Sequence, residues 1–243
     1  MIGCDFHVHL GISRDGGALT AGELLIHMKE YGVRRAVVFP IDEADTGESY
    51  EPQNRKIMEE AKQHPEFIPF CRLNPAHREA ALRELEACRR TGFQGLKLHP
   101  RAEAILPNTI DDILKKVDAY GWPVVIHVSH EPHCHPASWE ESFRRFPKVK
   151  FILAHSGKDS YEEAIRVAER CPNTFLDTST ISFNRTKVIV GRLGPSRVVF
   201  ASDEPYSHIA LERKKFELIC GPEELRIIFE ENPKRFFPVL SHA

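Results

Sequence analysis

The sequence predicts an α/β protein that folds as a single (β/α)₈ TIM barrel, and three observations predict this class. Short apolar and β-branched runs alternate with stretches of helical period. Eight such runs occur, and 243 residues is the usual length of such a barrel. The alternative is an open doubly wound sheet, but no G-x-G-x-x-G motif follows the first run. No linker divides the chain, so we expect one domain over residues 1–243.

The boundaries of the elements are also recognisable in the sequence. Gly32, Gly92 and Gly121 follow helical stretches, where a left-handed residue ends a helix most easily. A hydroxyl residue with Glu three positions later predicts helix starts at residues 20–23, 138–141 and 160–163. No accessory β-sandwich is expected, because the first strand begins at residue 2. The eight strands are predicted at residues 2–9, 36–40, 67–73, 92–99, 124–129, 149–155, 174–177 and 198–203.

The composition argues against several classes of function. With 33 Lys and Arg against 35 Asp and Glu, the formal charge is −2, so no broad basic face for nucleic acid is expected. No apolar stretch approaches the roughly 20 residues of a membrane-spanning helix. Six scattered cysteines without a C-x-x-C pair are typical of reduced, buried residues. We therefore expect a cytoplasmic protein with a small-molecule substrate and no nucleic-acid or membrane partner, for which a homo-oligomer is possible.

The first strand carries a pair of histidines with the spacing of a chelating site. Side chains alternate between the two faces of a strand, so Asp5, His7 and His9 are predicted on one face. Phe6 and Val8 are predicted on the other face, packed outward on the helices. The two imidazoles are therefore expected to face inward at the mouth of the barrel.

Three further polar residues end otherwise apolar strands. They are His127, His155 and Asp203, and catalytic groups in this fold come from the carboxyl ends of different strands. Imidazoles and a carboxylate suit Zn²⁺, Mn²⁺, Fe²⁺ or Co²⁺ better than Mg²⁺ or Ca²⁺. We expect a divalent metal site, with zinc as the default ion.

Several motifs in this order resemble the amidohydrolase superfamily, and within it the compact amidohydrolase-related branch of TIM-barrel metal-dependent hydrolases. The resemblance spans the whole chain. The H-x-H motif alone is common, whereas the ordered set is specific. The motifs are HVH at 7–9, GLKLHP at 95–100, His127, LAHSG at 153–157, ASDEP at 201–205 and ENPKRFF at 231–237.

The resemblance implies a role for each matching residue. His7, His9, His127 and Asp203 would hold the metal in a mononuclear site. Asp203 would also transfer the proton of the attacking water. His155 would polarise the substrate or assist that water.

Three more residues leave alternatives open. In binuclear relatives a lysine at about the position of Lys97 is carbamylated and bridges two metal ions. We favour one ion, with Lys97 and His99 on the substrate side, and two ions if Lys97 is carbamylated. Arg72, which ends the third predicted strand, is either a bidentate anchor for a substrate carboxylate or a surface charge.

These residues predict a metal-dependent hydrolase that uses activated water on a small amide, ester or lactone. The alternative is a lyase, either a decarboxylase or a hydratase of a small carboxylic acid, because a retained carboxylate needs cationic anchors such as Arg72 and Lys97. A third possibility is a barrel that binds without catalysis, which the intact ligand set argues against.

Overall fold

A computed structural model describes residues 1–42 and 46–237 of the chain. Residues 43–45 and 238–243 of the predicted domain lie outside the described part. Within it, the strands form one nine-stranded sheet in the order β2-β1-β3-β4-β5-β6-β7-β8-β9, antiparallel between β1 and β2 and parallel elsewhere. The strands are Asp5–Ile12 (β1), Ala18–Leu19 (β2), Ala36–Pro40 (β3), Phe67–Arg72 (β4), Gly95–Leu98 (β5), Val124–His127 (β6), Phe151–Ala154 (β7), Thr174–Asp177 (β8) and Val198–Val199 (β9).

Helices follow the parallel strands and cover the outside of the sheet. They are Ala21–Tyr31 (α1), Glu51–Gln63 (α2), Arg78–Thr91 (α3), Asp111–Tyr120 (α4), Glu140–Arg145 (α5), Tyr161–Arg170 (α6), Phe183–Leu193 (α7), Ile209–Ile219 (α8), Pro222–Arg226 (α9) and Asn232–Phe236 (α10). Among the described residues, none of these helices is long and apolar enough to span a bilayer.

The sheet closes on itself between the chain after β9 and β1. The amide of Phe6 donates to the carbonyl of Phe200, the amide of Asp203 to His7, and the amide of His9 to Glu204, at 2.8–2.9 Å. With eight parallel strands and this closure, the predicted TIM barrel is confirmed.

Two apolar layers hold the barrel together. The larger one packs outward-facing strand residues, such as Val8, Leu96 and Ile126, against the helices. The smaller one fills the barrel with strand side chains such as Phe39 and Phe175, together with the pair Phe236 and Phe237. The floor of the barrel is therefore supplied by residues more than 200 positions after β1.

The predicted alternation of faces along β1 is wrong at Phe6. The pairing of β1 with β3 shifts register between Asp5 and Val8. Because of this irregularity, Phe6 packs inside the barrel, with its ring centroid 4.8 Å from that of Phe236. The His7 ring also lies against the interior Phe39, at 5.3 Å. Phe6 and His7 are consecutive, yet both reach the barrel interior. A regular strand would place them on opposite faces of the sheet.

Several predicted boundaries are corrected by the structure. The predicted strands at 92–99, 149–155 and 198–203 shorten to β5, β7 and β9, and the hairpin strand β2 was not predicted. Gly32, Gly92 and Gly121 end their helices in the left-handed region, as predicted.

Only one of the three predicted capping boxes forms. Thr20 and Glu23 make it at the start of α1. Ser160 makes no side-chain cap, and Ser138 instead donates to the Pro132 carbonyl while α5 begins at Glu140. A 3₁₀ turn precedes each helix: it moves the start of α5 past Ser138, and it leaves Ser160 at the N-cap of α6 with a ψ of 25° instead of the extended conformation of a capping residue. All six cysteines are buried and free, as predicted.

Candidate active site

A cavity of about 480 Å³ opens at the carboxyl end of the barrel strands. Its polar lining contrasts with a cavity of about 560 Å³ outside the barrel, which is lined largely by β1, β2, α1 and α2. Five of the predicted site residues reach the polar cavity from five different strands or strand ends. The cavity is lined by His9, Arg14, Asp15, Asp42, His99, Arg101, Ala102, His127, His155, Lys158, Thr180, Asp203 and Tyr206.

Three ligand-type atoms converge at the base of this cavity. His7 Nε2 lies 3.1 Å from His9 Nε2 and 3.1 Å from Asp203 Oδ1, and His9 Nε2 lies 3.3 Å from the same oxygen. Asp203 Oδ1 is buried and has no hydrogen-bond partner within the described chain. In a tetrahedral zinc site with bonds of about 2.0–2.1 Å, neighbouring ligand atoms lie about 3.3 Å apart. The spacing and the unpaired oxygen therefore fit a bound divalent cation.

The orientation of His7 is fixed by Asp177, which the sequence interpretation did not single out. Asp177 Oδ2 accepts from His7 Nδ1 at 2.6 Å, and both side chains are fully buried. Asp177 Oδ1 accepts from the amide of Ser179 at 2.6 Å. This arrangement leaves the lone pair of His7 Nε2 directed at the ligand cluster. A signal was present, because Asp177 ends a strand just as His127 and Asp203 were predicted to do.

Lys97 contacts the same nitrogen of His7. Its Nζ lies 2.9 Å from His7 Nε2 and 4.7 Å from the centre of the Phe39 ring, and the side chain is fully buried. Burial lowers the pKa of Lys97 to about 8. Burial also lowers the pKa of His7 well below its usual value, and the charge of Lys97 adds to this effect. The amine therefore competes with a cation for His7 unless it is neutral, carbamylated or displaced.

His155 lies beside the carboxylate of Asp203. Its Nδ1 is 3.9 Å from Asp203 Oδ2 and within 3.3 Å of the Ser179 carbonyl, which can only accept a hydrogen bond. The proton is therefore assigned to Nδ1, and Nε2 is left as a proton acceptor. Burial raises the pKa of Asp203 to about 6. His155 and Asp203 thus each contribute a proton acceptor to the cavity lining.

His127 and His99 form a stacked pair in the cavity wall next to His155. Their ring centres are 4.0 Å apart and nearly parallel, and the His127 ring meets that of His155 edge-on at 4.9 Å. His127 thus adjoins the ligand cluster through ring contacts. The amide of Ala102 donates to His99 Nδ1 at 3.2 Å, which places the His99 proton on Nε2. His99 is therefore a neutral hydrogen-bond donor in the cavity wall.

Arg72 is not the surface charge that was one of its two predicted roles. It is fully buried and pairs with Glu103 at 2.6 Å and with Asp42. Its guanidinium also donates to the Pro40 carbonyl at 3.2 Å. Because these partners occupy the guanidinium, the geometry does not support the other predicted role, an anchor for a substrate carboxylate. Arg72 instead fixes Asp42, whose carboxylate lines the cavity near His99.

The backbone of the site is strained. Seven non-glycine residues in the described chain have positive φ, and four of them line the cavity. Such conformations cost roughly 1–3 kcal/mol each and concentrate at functional sites. The four are His155, Lys158, Thr180 and Asp203.

A second group of ligand-type side chains lies behind Asp203. Glu204 is buried, and its Oε2 is 2.9 Å from His27 Nδ1. His208 Nε2 is 3.9 Å from the same carboxylate, but its Nδ1 accepts from the amide of Ala210. The proton of His208 is therefore on Nε2, which leaves no lone pair for a metal there. We interpret this group as a tie between α1 and the segment that carries Asp203.

A closed parallel barrel with imidazoles and a carboxylate meeting at its carboxyl end defines a TIM-barrel protein with a candidate metal centre. The sequence model of the amidohydrolase family matches residues 4–239, and the chain belongs to this family. No significant match was found among curated protein sequences.

Solved structures share the fold at low sequence identity. A TIM-barrel protein from Bordetella bronchiseptica has a TM-score of 0.81 and 15% identity, covering 99% of both chains. A 2,6-dihydroxybenzoate decarboxylase from Rhizobium has a TM-score of 0.79 and 16% identity, covering 98% of this chain and 99% of that one. A 4-oxalomesaconate hydratase from Rhodopseudomonas palustris has a TM-score of 0.70 and 19% identity, covering 100% and 97%.

Proposed function

We propose that this protein is a metal-dependent hydrolase that acts on a small amide, ester or lactone. The observation that carries the proposal is the convergence of His7 Nε2, His9 Nε2 and the unpaired Asp203 Oδ1 within 3.1–3.3 Å of one another. His127 would complete the ligand set from the neighbouring wall. Zinc is the ion we propose, because three imidazoles and one carboxylate suit it.

A divalent cation at this site supplies a Lewis acid that polarises a carbonyl group and makes water more acidic. Side chains of the protein would transfer the proton and stabilise the developing charge. Asp203 Oδ2 and His155 Nε2 are the two groups able to accept the proton of the attacking water. His99 Nε2–H is the donor able to stabilise the negative charge that develops on the substrate oxygen. Asp177 keeps His7 in the tautomer that a ligand requires.

The test compares the chelated protein with protein reloaded with Zn²⁺ or Mn²⁺, on a panel of esters, amides and lactones. We expect hydrolysis that depends on the metal and is lost in His7→Ala. The proposal fails if the protein takes up no transition metal and if His7→Ala leaves every detected activity intact.

A second candidate function is a lyase that acts on a small carboxylic acid. It is favoured by the cationic side chains of Arg14 and Lys158 in the cavity lining, which suit an anionic substrate. The decarboxylase and the hydratase with the same fold show that such chemistry occurs on this scaffold. Loss of CO₂ from carboxylated compounds or addition of water to them, without hydrolysis of any neutral or carboxylated ester, amide or lactone, would establish the lyase and exclude the hydrolase.

A further inference from the structure

The turn after β7 places four consecutive residues at positive φ. They are His155 at 56°, Ser156 at 46°, Gly157 at 77° and Lys158 at 51°. Glycine adopts such angles freely, whereas other residues are strained there. Lys158 departs furthest, because its ψ of −112° also lies outside the left-handed helical region. A lysine thus occupies the position of this turn where glycine would be the least strained residue.

Neighbouring contacts fix the turn in this conformation. Ser156 Oγ donates to the carbonyl of Asp177 at 2.6 Å, and His155 Nδ1 lies 3.1 Å from Thr180 Oγ1. Gly157 packs so closely that a Cβ built on it would meet Pro136 Cγ at 3.0 Å. Because these contacts fix the three residues before Lys158, the backbone of Lys158 follows directly from a held segment of the active-site wall.

The side chain of Lys158 belongs to the cavity. It lines the cavity wall and is partly buried. Its charge also acts on the neighbouring imidazole, since burial lowers the pKa of His155 and Lys158 adds to that lowering. In the described part of the chain Lys158 forms no ion pair. The strain therefore presents an uncompensated ammonium group to the cavity.

Most of the other charges in the cavity lining already have partners. Arg101 pairs with Glu131, Asp42 pairs with Arg72, and Asp203 faces the two imidazoles of the ligand cluster. Arg14 and Lys158 are the lining cations for which the described residues supply no ion pair, and Asp15 follows Arg14 in the chain. Lys158 therefore offers a single ammonium group, which suits one carboxylate of a ligand.

We infer that Lys158 is the anion-binding residue of the cavity, and that the substrate carries one carboxylate group that this ammonium binds. The inference rests on the proposed function, because it assigns the substrate class of the same site. The backbone strain at Lys158 is then the structural cost of directing its ammonium into the cavity.

The experiment measures thermal stability and the binding of benzoate and benzamide to the zinc-loaded protein. The variants are Lys158→Gly, Lys158→Arg and, as a control, Ala104→Gly. Ala104 also has positive φ, at 49°, but lies outside the cavity lining. Benzamide resembles benzoate in size but has no charge.

In Lys158→Gly we expect the Tm to rise by about 2 °C or more, because glycine removes the strain. The same variant should bind benzoate about 10- to 100-fold more weakly, as expected for the loss of a charged hydrogen-bond partner. Its affinity for benzamide should not change. Lys158→Arg should bind benzoate within about threefold of the wild-type protein, and Ala104→Gly should raise the Tm without changing either affinity.

Unchanged benzoate binding in Lys158→Gly would overturn the inference, as would a fall of its Tm or a wild-type protein that does not bind benzoate. Metal content separates this failure from that of the proposed function. A protein that takes up zinc but binds benzoate equally well without Lys158 refutes only the assignment of the anion-binding residue.

Discussion

The two ring nitrogens of His7 have different neighbours, and these neighbours decide which nitrogen carries the proton. Asp177 accepts from Nδ1 at 2.6 Å, so Nε2 keeps its lone pair. Lys97, His9 and Asp203 all approach that lone pair within 3.1 Å. A single cation could be bound by His7 Nε2, His9 Nε2 and Asp203 Oδ1 together. Lys97 would then lose its contact with His7 Nε2 and would need another partner.

Asp177→Asn tests the first of these contacts. The amide cannot reproduce the charged acceptor for His7 Nδ1, so the tautomer and the ring orientation are no longer fixed. We expect zinc affinity to fall about 10- to 100-fold, as measured by calorimetry on chelated protein. Asp112→Asn, which removes a carboxylate that pairs with Arg78 near the surface, is the matched control. Equal affinity in the two variants would show that Asp177 does not support a metal ligand.

Lys97→Met distinguishes between one and two metal ions. If Lys97 only competes for His7, its removal should leave one zinc per chain, bound as tightly as in the wild-type protein or up to about tenfold more tightly. If Lys97 is a carbamylated bridge, the metal content should fall from two ions to one or none. Elemental analysis after dialysis decides between these outcomes, with Lys187→Met on the exposed side of α7 as the control.

At the level of elements, a buried polar side chain of α2 adds hydrogen bonds to the apolar packing of this helix against β4. Asn54 accepts from the amide of Arg72 at 2.9 Å, and it donates to the Arg72 carbonyl and to Glu84 at 2.9 and 2.8 Å. It therefore supplies hydrogen bonds to the strand residue whose guanidinium holds Asp42. The helix thus positions one wall of the active site without reaching it.

Asn54→Ala should lower the free energy of unfolding by about 2–4 kcal/mol, because it leaves several buried polar groups without partners. Arg55→Ala, at the adjacent exposed position of α2, should change it by less than about 0.5 kcal/mol. Urea denaturation measures both. A loss below about 1 kcal/mol for Asn54→Ala would contradict the importance of this attachment.

At the level of the whole molecule, the last described residues pack inside the barrel against a residue of the first strand. The Phe236 ring lies 4.8 Å from Phe6 and 4.7 Å from Phe175, edge to face. Phe237 stacks on Phe6 at 5.8 Å. These rings fill the barrel on the side away from the cavity, so the floor of the active-site barrel depends on contacts of very long sequence separation.

Phe236→Ala should therefore cost about 3–5 kcal/mol of stability by leaving a void in the barrel interior. Phe183→Ala, at a position where the side chain is 40% exposed, should cost much less. Both are measured by urea denaturation. Similar losses for the two variants would show that Phe236 is not part of the core.

The sequence could predict the barrel because the alternation of apolar runs and helical stretches repeats eight times and is set by local physics. It could also predict that His127, His155 and Asp203 lie at one end, since parallel strands in a barrel share their carboxyl edge. The shift of register in β1 could not be predicted, because it depends on pairing with β3 and on the chain after β9. The pairing of Arg72 with Glu103 also escaped prediction, since the two meet only through the loop after β5.

A crystal structure of the zinc-loaded protein, with anomalous data at the zinc edge, tests the central claim most directly. We predict one strong peak about 2.0–2.3 Å from Nε2 of His7 and His9 and from Oδ1 of Asp203. The same crystals of His7→Ala should lack that peak. A peak elsewhere, or no peak in protein soaked with zinc, would contradict the assignment of this site as a metal centre.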